Sequence, residues 1–92
     1  MQAILQQPTN HNHKIDKFIN LVEEANQNRF FENIDWSRTL HAIAQEVFNL
    51  GYNKAWDFVW DMVDFNAIIY DGKQIKVNED LLQKAIWMKL KS

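Results

Sequence analysis

The chain has no cysteine, one proline, two glycines and no apolar run near the length of a membrane span. Each absence closes off a class. Without cysteine there is neither a disulfide framework nor a thiolate metal site, so the fold does not depend on an oxidising compartment. A spanning helix needs about 20 consecutive apolar residues, and no stretch here approaches that. Glycine and proline are too sparse to form a linker, and there is no internal repeat or low-complexity tract. The reading is one domain over residues 1–92, with residues 1–11 expected to be its loosest part. The N-terminal MQAILQQPTNHNH lacks the basic start and long apolar stretch of a secretion signal, so a soluble chain in the cytoplasm is expected.

What the chain does have is apolar and aromatic surface. Hydrophobic residues make up 47% of the 92, and aromatic ones 13%, including four Trp and six Phe. A chain this short buries only about 60–65% of its unfolded surface, so stability must come from a rich core. Each large side chain fully buried contributes roughly 1.5–3 kcal/mol, which lets a small core offset chain entropy. The net charge of −2 argues against a general nucleic-acid binder, but its distribution is uneven. Charges balance over residues 1–29. Residues 30–66 set Arg38 and Lys54 against Glu32, Asp35, Glu46, Asp57, Asp61 and Asp64. Residues 67–92 set five Lys against Asp71, Glu79 and Asp80. The middle is acidic and the C-terminal end basic.

Hydrophobic spacing predicts an α+β fold of about four helices and a small antiparallel hairpin, in the order (β)αααββα. Ala3–Ile4–Leu5, closed off by Pro8, is a weak candidate for an edge strand. Ile15, Phe18, Ile19, Val22 and Ala25 fall at helical spacing between about Asn12 and Asn28. Asp35 is placed to cap a second helix, Trp36 to Leu50, striped with Trp36, Leu40, Ile43, Val47 and Leu50. Gly51 is placed to end it in the left-handed conformation. Asn53 is placed to cap a third helix, Lys54 to about Asp64, with Trp56, Val59, Trp60 and Val63 on one side and Phe58, Met62 and Phe65 on an adjoining one. Ala67–Tyr70 and Lys73–Val77 flank Asp71-Gly72, a pair that favours a two-residue type I′ turn. That puts Ile68, Tyr70, Ile75 and Val77 on one face and Ile69, Gln74 and Lys76 on the other. Asn78 then caps a last helix, with Glu79 and Asp80 in its first turn and Lys89 and Lys91 in its last, complementing the helix dipole.

No catalytic or metal constellation emerges. His11 and His13 flank Asn12 in a polar stretch without the acidic or cysteine partners of a nuclease site. His41 has Ser37 one turn away but no acid spaced to orient it. Asp57, Asp61 and Asp64 share one face of the third helix. One straight helix is a poor cation cage, because hard cations need oxygens converging from several directions. That leaves a solvated face or a docking stripe for a basic partner. On the last helix Leu81, Leu82, Ala85 and Ile86 lie on one side, and Lys84, Trp87, Met88 and Lys91 on another. A Trp between lysines stacks on a base or fills a protein pocket, or else packs on a neighbouring element. Lys73 and Lys76 on the hairpin extend that basic surface. Arg29 is a further candidate, with Asn26, Gln27 and Asn28 beside it as hydrogen-bonding groups. Helices two and three have the outline of a helix–turn–helix, but a recognition helix with three aspartates would repel phosphate.

The stretch KIDKFINLVEEANQNRFFENIDWSRTLHAIAQEVFNLGYN, with the closing IIYDGKQIKV hairpin and Lys-rich helix, resembles the small phage-encoded anti-CRISPR proteins that inhibit type I-F effectors. The resemblance covers the whole chain and rests on overall character and size, without a diagnostic motif. It implies a non-enzymatic inhibitor in the host cytoplasm that needs no cofactor and no small-molecule substrate. Its implied partners are effector subunits, the Cas7 backbone and the Cas8/Cas5 end, together with the crRNA backbone, and its implied effect is to block target DNA from hybridising. The family supplies no residue motif, so the candidate contacts are those read above: Asp57, Asp61 and Asp64 on an acidic face, and Arg29, Lys73, Lys76, Lys84, Trp87 and Lys91 on a basic one. The alternative is a small phage or plasmid regulator that binds nucleic acid directly through the basic end.

Overall fold

Among the described residues the chain forms four helices and one hairpin: α1 Gln2–Gln27, α2 Trp36–Phe48, α3 Tyr52–Asp64, β1 Ile68–Tyr70, β2 Ile75–Val77 and α4 Glu79–Lys91. The computed structural model describes the backbone of residues 2–32 and 34–91, and the side chains of residues 13–32 and 34–88. This is the expected α+β order, with the hairpin as a two-stranded antiparallel sheet. The candidate edge strand at Ala3–Leu5 does not form, and helix extends ahead of the start expected near Asn12. The backbone there is the beginning of α1.

The first helix buries Ile15, Phe18, Val22 and Ala25, the stripe its spacing predicts. It ends in a Schellman motif. Arg29 takes a left-handed φ of 62°, the Phe30 N–H reaches the Ala25 carbonyl at 2.9 Å, and the Arg29 N–H reaches Asn26 at 3.1 Å. The third helix ends in the same way, with Asn66 at φ 63° and the Ala67 N–H donating to the Met62 carbonyl at 2.9 Å. Asparagine tolerates this conformation because its short polar side chain bonds locally.

Three cap assignments need correcting. Helix α2 is stopped by Asn49, left-handed at φ 55°, two residues before the expected Gly51. Gly51 is extended, φ −68° and ψ 171°, and it opens α3 instead, its carbonyl accepting the Ala55 N–H at 2.9 Å. Asn53 therefore lies inside the first turn of α3 and caps nothing. Asp35 precedes α2 as expected, but its side chain makes no capping bond; its carbonyl accepts the Arg38 N–H at 3.0 Å. Asn78 does cap α4, its Oδ1 accepting the Leu81 N–H at 3.1 Å.

The core face of α3 is also rotated from the expected one. Ala55, Phe58, Val59 and Met62 are buried, whereas Trp60 is 45% exposed and Trp56 and Val63 are half-buried. The rings of Phe18, Phe48 and Phe58 interlock at the centre, with centroids 5.1–5.9 Å apart. Such pairs contribute about 0.5–1.5 kcal/mol each beyond the area they bury. Phe58 meets partners from α1 and α2 at once, which decides the rotation.

The hairpin pairs Ile68 with Val77, Ile69 with Lys76 and Tyr70 with Ile75. Its loop is four residues long, Asp71 to Gln74, where a two-residue turn was expected. The Asp71 carboxylate closes it, accepting the Lys73 N–H at 2.9 Å and the Gln74 N–H at 2.7 Å. Gly72 supplies the positive φ of 99° that the loop requires. The pairing slips by two residues, so side-chain parity survives. Ile68 and Ile75 still face the core, and Ile69 and Lys76 still face outward.

Two long-range contacts fasten the hairpin. The Asn26 side-chain amide donates to the Ile75 carbonyl and accepts the Ile75 N–H, both at 2.9 Å, so α1 grips the edge of β2. The Tyr70 hydroxyl donates to the Phe31 carbonyl at 2.6 Å, with the Gly72 carbonyl at 2.9 Å. These bonds hold the Tyr70 ring against α2.

Candidate functional site: an acidic aromatic face

Tyr52, Trp56 and Trp60 are spaced four apart and form a stripe along α3. Trp56 and Trp60 lie nearly parallel, 12° between planes and 6.2 Å between centroids. Helix α2 contributes a ring at each end. His41 stacks on Trp56 at 4.2 Å and meets the edge of Tyr52 at 4.9 Å. Trp36 meets Trp60 edge to face at 6.0 Å and stacks on Tyr70 of β1 at 4.3 Å. The result is one unbroken ladder, Tyr70–Trp36–Trp60–Trp56–His41–Tyr52, drawn from three elements.

The ladder is partly open to solvent. Tyr52 is 65% exposed and Trp60 45%, Trp36, Trp56 and Tyr70 are half-buried, and His41 is buried. His41 acts as its internal pin. Nε2 lies 2.9 Å from the Tyr52 carbonyl and must carry the proton, because the carbonyl can only accept. One ring nitrogen and one ring face are thus committed to packing.

The three aspartates border this ladder. Asp57 and Asp64 stand three residues before and four after Trp60, the two spacings that make neighbours on a helix surface. Both are exposed, and Asp61 is half-buried. Among the described residues no three His, Cys, Asp or Glu side chains converge as a metal site. The acidic stripe read from the sequence is therefore one half of a composite surface, with indole between carboxylates. The other half went unread because the pattern put Trp56 and Trp60 in the core. The Tyr52–Trp56–Trp60 spacing was visible, but the pairing with Trp36 and Tyr70 was not.

The basic candidates are spread over more elements. Lys84, Trp87 and Met88 are exposed on α4, opposite the buried Leu82, Ala85 and Ile86, as the helical wheel predicts. The Lys91 side chain lies outside the described residues. Lys73 is in the hairpin loop, and Lys76 sits on the outer face of β2 across from Ile69. Arg29 is 80% exposed at the end of α1, 3.8 Å from Glu32. Of the amides beside it, Asn26 is committed to Ile75, and Asn28 donates to the Glu24 carbonyl at 3.0 Å. Asn26 is therefore not the available hydrogen-bonding group the sequence suggested, whereas Asn28 is exposed.

Fold and site together define an α+β chain that presents a preformed aromatic platform edged with carboxylates. No protein-family model matches the chain, and neither the curated proteins nor the solved structures contain a match. Among the described residues no helix is long and apolar enough to cross a membrane.

Proposed function

We propose that this protein is a stoichiometric inhibitor that works by occupying a nucleic-acid-binding surface, its α2/α3 face standing in for a single strand. The observation that supports this reading is the Trp60 indole set between Asp57 and Asp64 on a continuous ladder of rings. Carboxylates offer the negative charge of phosphates, and rings offer the stacking faces of bases. Arginine is the natural counterpart, since a guanidinium pairs with carboxylate and stacks on an indole face. The ladder is held by ring contacts on both sides, so little side-chain freedom is lost on docking. The resemblance to type I-F anti-CRISPR proteins names the target: the basic channel of a crRNA-guided effector, along its Cas7 backbone or at its Cas8/Cas5 end. Occupying that channel keeps target DNA from pairing with the guide.

The test mixes purified type I-F effector with the protein and measures binding of labelled target DNA. Excess protein is expected to abolish DNA binding. Trp60→Ala combined with Asp57→Lys and Asp64→Lys is expected to restore it by tenfold or more, about 1.4 kcal/mol, a modest fraction of what an interface anchor contributes. Full DNA binding in the presence of excess wild-type protein would sink the proposal. A second reading, direct binding of nucleic acid by the basic end, is favoured by one observation, Trp87 at 57% exposure on the same helix as the exposed Lys84. It predicts a salt-sensitive mobility shift of free DNA or RNA that Lys84→Glu removes.

A further inference from the structure

An open groove of about 230 Å³ lies between α1 and α2, on residues that take no part in the aromatic ladder. Ala25 and Ala42, small side chains contributed by the two helices, belong to its lining, Ala25 buried and Ala42 exposed. Leu21, Thr39, Ile43 and the Phe30 ring, 54% exposed, complete the uncharged lining. Its charged lining consists of two carboxylates, Glu24 from α1 and Glu46 from α2, both exposed.

From this geometry we infer a second docking site, for an apolar side chain carried on a basic helix of a partner protein. Size argues against a cofactor, since small-molecule sites run to about 300–1,000 Å³ and enclose most of their ligand. At about 230 Å³ the groove has room for about one or two side chains, and it is open to solvent, as a site for a helical ligand must be. Charge selects the helix. On a docked helix the positions three and four residues from the buried anchor lie beside it, where Glu24 and Glu46 favour lysine or arginine and disfavour acids. The site takes apolar contact from Leu21, Phe30 and Ile43 and charge selection from Glu24 and Glu46.

The probe is a fluorescein-labelled helical peptide of ~15 residues, the length at which an isolated helix begins to hold, with Leu and Phe anchors one turn apart and Lys at the flanking positions. A second peptide keeps the anchors and replaces every Lys with Glu. Saturable anisotropy is expected with the basic peptide, at an affinity about tenfold or more above that of the acidic one. Ala42→Trp is expected to abolish binding by filling the groove; residue 42 is exposed, so the new ring stays out of the core. Glu24→Lys with Glu46→Lys is expected to invert the preference between the peptides. Asp57→Lys with Asp64→Lys should leave binding unchanged, which separates this site from the ladder face. Equal binding of the two peptides, or binding that survives Ala42→Trp, would overturn the inference. So would concentration-dependent self-association of the protein that Ala42→Trp removes, since it would assign the groove to a second copy.

Discussion

Asn26 is the residue whose replacement tests the architecture most directly, because one amide carries the link between α1 and the hairpin. Tyr70 and Ile75 are paired without mutual hydrogen bonds, since the Asp71 N–H bonds the Gln74 carbonyl at 3.2 Å on one side and the alternation of the ladder then turns the peptide groups of Ile75 away from β1. Asn26 satisfies both of them, each at 2.9 Å. Asn26→Ala removes two bonds, each with a net contribution of about 1 ± 0.5 kcal/mol, and strands a carbonyl and an N–H that cost about 1–3 kcal/mol apiece if fully dry. Asn26 is only half-buried, so water enters and the lower figures apply. The expected loss is about 2 kcal/mol, against a total stability of roughly 5–14 kcal/mol for a chain of this length. That corresponds to a fall in Tm of about 8–16 °C. Thermal and urea denaturation followed by far-UV circular dichroism measure it. Near-UV dichroism adds a second readout, because a loosened hairpin releases the Tyr70 ring stacked on Trp36. Asn26→Asp keeps the acceptor, loses the donor and sets a carboxylate against the Ile75 carbonyl, so it should be at least as damaging at neutral pH. A loss below about 0.5 kcal/mol for Asn26→Ala, with the near-UV signal intact, would refute the reasoning.

Two further outcomes follow from the loops. Gly51 has an ordinary negative φ and open space where a Cβ would sit, and the entropy gained from alanine there is offset by its poorer fit at a helix N-cap, so Gly51→Ala should change stability by less than about 0.5 kcal/mol, whereas Asn49→Ala, at φ 55°, should cost about 1 kcal/mol in denaturant melts. The Asp71 carboxyl is held below its ordinary value of 3.8, first by the Gln74 N–H and then by the Lys73 N–H. A depressed carboxyl stabilises the fold above that ordinary value and loses the contribution as pH falls below it. Amide shifts of Lys73 and Gln74 in an NMR titration should therefore move below pH 3.8, while Asp71→Asn should remove that transition and weaken the loop at neutral pH.

Much of the architecture was legible in the chain itself. Apolar residues three and four apart placed α1 and the two sides of α4, and Asn78 marked where α4 begins. Alternation assigned the faces of the hairpin even though the loop length was misjudged, because a slip of two residues preserves parity and a slip of one would not. These features rest on local periodicity, which the sequence carries by itself. The caps show its limit. Asn49 and Gly51 both accept the conformation that ends a helix, and the choice depended on where Val47 and Phe48 meet the core.

Helix α3 shows why the site could not be read in the same way. Outside its acidic stripe the apolar residues cover more than one sector, so periodicity offers two core faces, one through Phe58 and Met62 and one through Trp56 and Trp60. Only packing chose between them, because Phe58 finds Phe18 and Phe48 across the interior while the tryptophans find Trp36, His41 and Tyr70 along the surface. Sequence by itself determined the order of the helices and hairpin, the acidic stripe of Asp57, Asp61 and Asp64, and the exposed side of α4 that carries Lys84 and Trp87. Tertiary structure alone assembled the aromatic ladder that turns this stripe into a surface, since its rings come from residues 36 to 70 and meet only once α2, α3 and β1 have packed.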